Sequence, residues 1–234
     1  MKWLIASDIH GSEFYCSRLT EAYKRENADR LLLLGDLLYH GPRNDLPKDY
    51  APKKVAEMLN GLKNDILCVR GNCEAEVDQM MLEFPIMADY ALIPLGKRAV
   101  FATHGHLFNK DKLPPLKPGD ILLYGHTHIP LLESVDIPGG SSNAENDEKR
   151  SNEAIDAASS TNCDKTNDLV GNAGCDTKAA IICMNPGSVS IPKNGSEHSY
   201  MILDMGETQS DPAVFEWKTL EGGTYKRYEI NLRG

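Results

Sequence analysis

Short apolar runs that end in polar or charged residues recur along the chain. The first run, Trp3 to Ala6, is followed by Ser7-Asp8-Ile9-His10-Gly11. A run of this length is typical of a buried strand, and Gly11 permits a sharp turn out of it. Residues two apart in an extended backbone point the same way. The Asp8 carboxylate and the His10 imidazole can therefore converge beyond the end of the strand.

Helix-like and strand-like patterns then alternate. Ser12 to Glu26 and Lys53 to Leu62 carry apolar residues at helical spacing. Leu31 to Leu34 and Ile66 to Val69 are typical of two further buried strands, and the Pro- and Gly-rich stretch 39–53 predicts a long ordered loop. Three strand-then-helix units in succession predict a mainly parallel sheet with helices on its faces. Ligands of such sheets gather at the carboxyl ends of the strands.

The rest of the chain has mostly β-like patterns bounded by turn-forming residues. The remaining predicted strands are Tyr90–Pro94, Ala99–Thr103, Ile121–Tyr124, Ala180–Met184, Ser199–Asp204, Ala213–Trp217 and Tyr225–Asn231.

The segment from about 139 to 178 interrupts this pattern. It is rich in Ser, Asn, Asp, Ala and Gly, and it carries eight acidic against four basic side chains. Such a composition cannot bury enough apolar surface to offset the entropy of ordering it. We expect a flexible insertion within a single domain that covers residues 1–234. The alternative interpretation makes Asn152–Ala158 a short solvated helix.

Composition and charge narrow the function classes. The chain has 234 residues and a net charge of −9, which argues against a broad basic face for long nucleic acids. No apolar run approaches the roughly 20 residues that cross a bilayer, and no signal-peptide pattern is present, so we expect a cytoplasmic protein without membrane association. Six cysteines without C-x-x-C spacing favour free thiols over disulfides or structural zinc. A monomer and a homo-oligomer are both compatible with this sequence.

Seven side chains of metal-ligand type lie just past the ends of predicted strands. They are Asp8, His10, Asp36, Asn72, His104, His126 and His128. Each alone has an ordinary explanation, such as a helix cap or a polar loop residue. Random placement would scatter them, whereas one sheet edge would bring all seven together. The mixture of imidazole, carboxylate and amide suits a pair of divalent ions better than calcium or a thiolate site.

A dinuclear site of this kind predicts phosphate ester hydrolysis. Two ions roughly 3.5 to 4 Å apart lower the pKa of a shared water and hold the oxygens of an in-line displacement at phosphorus. A metal-bridging hydroxide would attack the phosphorus atom. Asp36, on the strand expected to be central, would bridge the ions, and Asn72 and His104 would stabilise charge in the transition state.

The motifs D-x-H, G-D, G-N, H-G-H and G-H-T-H, in this order, resemble those of the calcineurin-like metallophosphoesterase superfamily, and within it the small bacterial phosphodiesterases of the YfcE type. The resemblance covers residue 1 to about 135 and returns at 185–192. It implies an α/β fold, a four-layer α/β/β/α sandwich of mixed sheets with helices on the outer faces. It also implies two divalent ions, manganese first, with iron, zinc or nickel as alternatives. By the family's pattern one ion takes Asp8, His10, Asp36 and His128, and the other takes Asp36, Asn72, His104 and His126.

Several positions beside these motifs have alternative roles. Many members of the family carry G-N-H-[DE], in which the histidine protonates the leaving group, whereas this chain has Cys73 at that position. We expect Cys73 to take no part in the reaction, and the alternative is that its thiol is a weak proton donor. Esters with good leaving groups should therefore be hydrolysed best. His106 resembles a histidine that supports the ligands, or simply holds its loop. His40 and Arg43 are candidate substrate contacts, with a plain loop ion pair as the alternative for Arg43.

Two functional hypotheses from different classes follow. The first is a metal-dependent phosphodiesterase acting on a small or nucleotide-like phosphodiester. The alternative is a non-catalytic scaffold of the same fold for protein interaction, as in the family's retromer subunit. All seven ligand positions hold competent residue types, which favours the enzyme. A nuclease for long DNA is a weaker third interpretation, because the chain is acidic.

Overall fold

The computed structural model of the chain describes residues 1–137, 180–208 and 211–232. The predicted flexible insertion at about 139–178 and the alternative helix within it lie outside the described residues, as do Cys163 and Cys175. The other four cysteines are free, as predicted. No helix in the described ranges is long and apolar enough to cross a bilayer.

Eleven strands and three helices are present in the described part of the chain. The strands are β1 (Lys2–Ala6), β2 (Arg30–Leu33), β3 (Ile66–Cys68), β4 (Tyr90–Leu95), β5 (Arg98–Thr103), β6 (Ile121–Leu123), β7 (Leu131–Asp136), β8 (Ala180–Asn185), β9 (Ser199–Asp204), β10 (Ala213–Thr219) and β11 (Thr224–Ile230). The helices are α1 (Glu13–Arg25), α2 (Pro52–Asn60) and α3 (Glu76–Met81). Every predicted strand and helix that falls on described residues is confirmed to within two residues, whereas α3 and β7 were not predicted.

The strands form two mixed sheets. The first has the order β11-β10-β9-β1-β2-β3 and the second β4-β5-β6-β8-β7. Strands β1, β2 and β3 are parallel, as the first three units predicted. Strands β9, β10 and β11 complete that sheet by antiparallel pairing, β9 with β1, β10 with β9 and β11 with β10. In the second sheet β5, β6 and β8 are parallel, and antiparallel β4 and β7 lie at its edges.

Alternate residues of the central strands pack on opposite faces of their sheet. In β1, Leu4 and Ala6 join a buried cluster with residues of α1 and α2, whereas Ile5 joins the cluster between the two sheets. In β6, Ile121 faces that same cluster between the sheets, and Leu122 faces away from it. The two sheets therefore share one apolar layer, and each buries its other face separately.

The two outer faces are covered by different kinds of structure. Helix α1 lies on the first sheet, and Ser12 Oγ caps it by accepting a hydrogen bond from Tyr15 N at 3.2 Å. Helix α2 begins at Pro52, whose fixed φ suits the first helical turn, and packs on the same sheet. The second sheet is covered in the described ranges by the coil between β5 and β6, through Phe108 and Leu116. The predicted α/β sandwich of mixed sheets is confirmed, with helices on one outer face of the described structure.

Candidate metal centre

The seven predicted metal ligands meet where the carboxyl ends of the two sheets adjoin. Five of them are buried, with 3% or less of their surface exposed, while His126 is half-buried and Asn72 is exposed. Four of the seven follow strands of the first sheet, and His104, His126 and His128 follow strands of the second. Their assignment as metal ligands stays a prediction, and their geometry decides whether a cation would fit.

We call Asp8, His10 and His128 the inner ligand group. Asp8 Oδ1 lies 3.6 Å from His10 Nε2 and 3.3 Å from His128 Nε2, and the two histidine nitrogens are 3.3 Å apart. Asp8 Oδ2 accepts a hydrogen bond from His126 N at 3.1 Å. Asp8 Oδ1 is buried and makes no hydrogen bond of good geometry. One carboxylate oxygen is thus fixed by the backbone, and the other is left facing two imidazoles.

Backbone carbonyl oxygens orient three of the histidine rings through their Nδ1 atoms. The pairs are His10 with Tyr39 at 2.8 Å, His104 with Leu34 at 2.7 Å and His128 with Ile191 at 2.6 Å. A carbonyl oxygen can only accept, so each Nδ1 carries a hydrogen and the neutral ring presents the lone pair of Nε2. Lone pairs of His10 and His128 that face each other beside an unpaired carboxylate oxygen need a positive charge between them. The inner ligand group therefore fits a cation.

Asp36 lies between the inner group and the remaining ligands. Its Oδ2 atom is 3.8 Å from His10 Nε2 and 3.4 Å from His104 Nε2, while its Oδ1 atom accepts a hydrogen bond from Cys73 N at 2.9 Å. A single carboxylate oxygen thus faces one histidine from each sheet.

We call Asn72, His104 and His126 the outer ligand group. His104 Nε2 lies 3.1 Å from Asn72 Oδ1 and 3.2 Å from His126 Nδ1. His106 lies nearby, with its ring centroid 5.4 Å from that of His104 and 6.4 Å from that of His126. In the outer group, His104 Nε2 thus lies close to the ligand atoms of both other members, and the Asn72 end of the group is exposed to solvent.

The charges of these groups are strongly coupled. Burial raises the pKa of Asp8, but the close imidazoles of His10 and His128 outweigh burial and hold the pKa well below its usual range. Burial lowers the pKa of His104, whereas Asp36 and Asp8 together raise the pKa to about 9. Burial and the neighbouring His104 lower the pKa of His126 to about 4. A proton on His104 therefore supplies positive charge to this carboxylate-rich site, and a cation would compete for the same nitrogen.

Five of the predicted ligands have a left-handed backbone conformation. Their φ angles are 60° at Asp8, 49° at His10, 56° at Asp36, 65° at His126 and 62° at His128. Only three other non-glycine residues in the described ranges share this conformation, and all three are Asn or Asp. Non-glycine residues in this region persist only where the surrounding structure holds them, and they cluster at functional sites. Five of the predicted ligands are therefore held in a strained backbone conformation at this edge of the sheets.

Glu74 holds two of the ligand loops together, and sequence reasoning missed this role. Its carboxylate accepts hydrogen bonds from Asp36 N at 2.9 Å, Leu37 N at 2.7 Å and Gly71 N at 2.5 Å. The loops after β2 and β3 are thereby tied to each other. Glu74 occupies the last position of the G-N-H-[DE] pattern, and this match could have identified its role from the sequence.

The loop after β8 supports the ligands from behind. Ser188 Oγ and Ser190 Oγ both donate to the backbone carbonyl of Asp8 at 3.0 Å. Asn185 Nδ2 donates to Gly125 O at 2.7 Å. Gly125 itself must be glycine, because a Cβ atom there would lie 1.9 Å from Ser7 Oγ. The sequence predicted a turn in this loop but not its contacts with the site.

The two predicted substrate contacts lie in the loop that follows Asp36. His40 packs edge-on against the rings of Tyr39 and Tyr50, with centroid distances of 4.7 and 5.2 Å. The side chain of Arg43 is exposed, and no ion pair links it to another described residue. The loop passes Cys73 at Gly41, where a Cβ atom would lie 3.3 Å from Cys73 Sγ. The loop therefore runs beside the metal centre, and the exposed guanidinium of Arg43 is available to bind a substrate.

Comparison with known proteins agrees with this geometry. Residues 1–155 match the calcineurin-like phosphoesterase superfamily domain. The chain is 41% identical over 204 residues to Phosphodiesterase YfcE of Escherichia coli strain K12, which covers 87% of this chain and 88% of that protein. The solved structure of Yfce, a phosphoesterase from E. coli, has a TM-score of 0.73 and 38% identity, covering 99% of this chain and 100% of that chain.

A more distant structure shares the fold alone. Vps29 of Chaetomium thermophilum is 12% identical with a TM-score of 0.52, covering 99% of this chain and 98% of that chain. The predicted family, fold class and enzyme class are confirmed by the nearer relatives. Buried carboxylates and imidazoles converge at the strand ends of this chain, as described above. Together with the similarity to these relatives, they show that the chain belongs to the calcineurin-like phosphoesterase superfamily, as a phosphoric ester hydrolase of the YfcE type.

Proposed function

We propose that the chain is a phosphodiesterase with a dinuclear metal centre, and that it hydrolyses a small or nucleotide-like phosphodiester. The observation that carries this proposal is the position of Asp36 Oδ2, which lies 3.8 Å from His10 Nε2 and 3.4 Å from His104 Nε2. A carboxylate oxygen between two groups of ligands is what a pair of divalent ions requires as a bridge.

The inner ligand group with Asp36 would hold one ion, and the outer ligand group with Asp36 would hold the other. Imidazole, carboxylate and amide donors favour manganese, with iron, zinc or nickel as alternatives. When bound, the two ions supply an activated water at neutral pH and stabilise negative charge on the phosphoryl oxygens.

The chain itself fixes the direction in which each ligand points. Asp8 and Asp36 each give one oxygen to a backbone N–H, from His126 and Cys73 respectively, and turn the other oxygen into the site. Carbonyl oxygens fix three of the imidazole rings in the same way. Little reorganisation is then needed when charge develops in the transition state, and such preorganised electrostatics is a large part of catalysis.

The exposed side of the centre would receive the substrate. Asn72 is the exposed ligand, so it lies on the side from which a phosphodiester would approach, and its Nδ2 atom donates to Cys73 Sγ at 3.2 Å. We place Arg43 and His40 on the same side as contacts for the substrate phosphate, since a guanidinium can bind two phosphate oxygens at once. Asn72, Asp36 and His104 are the residues we assign to the reaction.

The test is hydrolysis of bis(p-nitrophenyl) phosphate by manganese-loaded protein, combined with elemental analysis. We expect the natural chain to bind two ions and to turn the diester over. Asp36→Asn should lower kcat/KM by about 100-fold or more, because it removes the charge shared by both ligand groups. Asp45→Asn, an exposed change in the loop that follows Asp36, is the matched control and should leave kcat/KM within about twofold. Full activity in Asp36→Asn, or an inactive natural chain with two bound ions, would sink the proposal.

A further inference from the structure

A cavity of about 410 Å³ lies beside the metal centre. Its walls are mainly apolar and aromatic, and they include Leu38, Tyr39, Tyr50, Cys73, Val77 and Met81. Its volume falls in the range of about 300 to 1,000 Å³ that is usual for small-molecule sites. We call it the side cavity.

Two residues of the side cavity also touch the predicted ligands. The Tyr39 carbonyl oxygen lies 2.8 Å from His10 Nδ1, and Cys73 N donates to Asp36 Oδ1 at 2.9 Å. Cys73 Sγ lies within 4.8 Å of ligand atoms of both His10 and Asp36. A phosphodiester bound at the centre would therefore have one of its ester groups next to this cavity.

The walls of the side cavity are unusual for this protein because they leave apolar surface in water. Val77 is 62% exposed, Met81 is 43% exposed and Tyr39 is 42% exposed. Val77 and Met81 lie on α3, which has no buried residue. A short helix that buries none of its own apolar side chains gains from a ligand that covers them.

The chemistry of the walls distinguishes between kinds of ester group. Leu38, Val77 and Met81 offer no hydrogen bonds, and the carboxylate of Asp78 already accepts one from Ala75 N at 2.8 Å. Lys53 also lines the cavity and can donate, but its side chain is exposed and flexible, so it is not a fixed partner. The polar edges of a sugar or a nucleobase would find few fixed partners here, and an unpaired polar group is costly to bury. An apolar ring would instead contact Tyr39 and Tyr50 as well as the aliphatic walls.

We propose that the side cavity binds one ester group of the phosphodiester substrate, and that this group is an apolar, ring-containing one. The inference rests on the proposed phosphodiesterase function and narrows its substrate range, from a small or nucleotide-like phosphodiester to a small one that carries an apolar ring. The cavity sets specificity by binding and takes no part in the reaction itself.

The test compares two diesters that share the phosphate and differ in their ester groups. Binding of diphenyl phosphate and of dimethyl phosphate to the manganese-loaded protein is measured by titration calorimetry. We expect diphenyl phosphate to bind at least about tenfold more tightly, with a negative heat-capacity change, which is the robust sign of apolar burial. Equal affinities would overturn the inference, as would equally tight binding of the methyl ester of uridine monophosphate.

A matched pair of variants locates the effect. Ala75 lines the cavity and is exposed, so Ala75→Trp should fill the cavity without disturbing the core. Met80 is 85% exposed and lies on the same helix outside the cavity, so Met80→Trp is the control. We expect Ala75→Trp to weaken diphenyl phosphate by about tenfold and dimethyl phosphate by less than about twofold. Met80→Trp should leave both affinities within about twofold.

The outcomes separate this inference from the proposed function. If the natural chain fails to hydrolyse bis(p-nitrophenyl) phosphate, the proposed function fails. If it hydrolyses that diester but Ala75→Trp weakens both ligands alike or neither, only the cavity assignment fails. Sedimentation of the same samples tests whether a second copy of the chain occupies the cavity instead. A natural chain that is a dimer, together with a monomeric Ala75→Trp variant, would show that it does and would overturn the inference.

Discussion

The inner and outer ligand groups are built differently, although both meet at Asp36. Asp8, His10 and His128 of the inner group are 3% exposed or less, and backbone carbonyls orient both histidine rings. In the outer group Asn72 is exposed and His126 is half-buried. The whole inner group is thus part of the packed fold. In the outer group only His104 is buried, and the other two members lie on the side from which a substrate would arrive.

From this difference we infer that the proposed centre would combine two tasks. Rigid, buried ligands bind an ion tightly because they are already oriented and have lost their water. Exposed ligands adjust more easily and leave room for a substrate. We therefore expect two affinities for metal ions in one site, with the tighter one in the inner group.

The largest effect is expected from removing one histidine from each group. In a manganese titration of the natural chain, two classes of site should appear. His128→Ala should weaken the tighter class by about 100-fold or more, beyond the 10- to 100-fold loss typical of residues that only support ligands. His126→Ala should weaken the other class and leave the tighter one nearly unchanged.

The two variants control for each other, since both remove an imidazole from the same loop. Circular dichroism of the metal-free proteins checks that both fold. The comparison between the groups breaks down if the natural chain binds both ions with one affinity, or if the two variants lose the same class.

A smaller effect is expected from the support behind the inner group. Ser190→Ala removes a hydroxyl that donates to the Asp8 carbonyl at 3.0 Å. The free energy of unfolding of the metal-free protein should fall by about 1 kcal/mol, the usual worth of one buried hydrogen bond. The affinity of the tighter class should fall by roughly tenfold, because Asp8 loses part of what fixes its position.

Urea unfolding and the same manganese titration measure these two changes. Thr20→Ala is the control, because that hydroxyl donates to Ser17 O at 2.8 Å within helix α1 and contacts none of the predicted ligands. It should change the unfolding free energy by less than about 0.5 kcal/mol. A Ser190→Ala protein that loses the weaker class instead would contradict the division into inner and outer groups.

The smallest effect is expected at Cys73, beside the outer group. Burial and the nearby carboxylates, Asp36 first among them, raise the pKa of this thiol, which makes it a poor proton donor. Cys73→Ser should therefore hydrolyse methyl phenyl phosphate, whose phenol leaving group benefits from a proton more than p-nitrophenol does, within about twofold of the natural rate. A loss of more than about tenfold at unchanged metal content would show that the thiol protonates the leaving group.

The sequence predicted the strands and the convergence of the seven ligands because both depend on local patterns. Each ligand follows an apolar run, and parallel strands bring their ends to one edge. Helix α3 escaped prediction because its apolar side chains are exposed and show no helical periodicity against a core. Strand β7 escaped because its half-exposed side chains alternate poorly, and only pairing with β8 defines it.

Contacts between distant segments could not be predicted from local pattern. Glu74 reaches the backbone of Asp36, 38 residues earlier in the chain, and Ser190 reaches Asp8, 182 residues away. Hydroxyls and carboxylates of this kind have many potential partners in a sequence, and only the fold selects one. The roles of Arg43 and of the segment at about 139–178 stay predictions, as do a cytoplasmic location and the oligomeric state.

The placement of the ligands on both sheets has a thermodynamic consequence. Asp8 and Asp36 follow strands of the first sheet, and His104 and His128 follow strands of the second. A cation held by both sets would be a cross-link between the two layers, in addition to their shared apolar layer and to hydrogen bonds such as that from His126 N to Asp8 Oδ2. Unfolding must break that cross-link, so each ion adds a free energy that grows as RT ln(1 + [L]/Kd). The heat resistance of this protein should then report the free metal concentration of the solution around it.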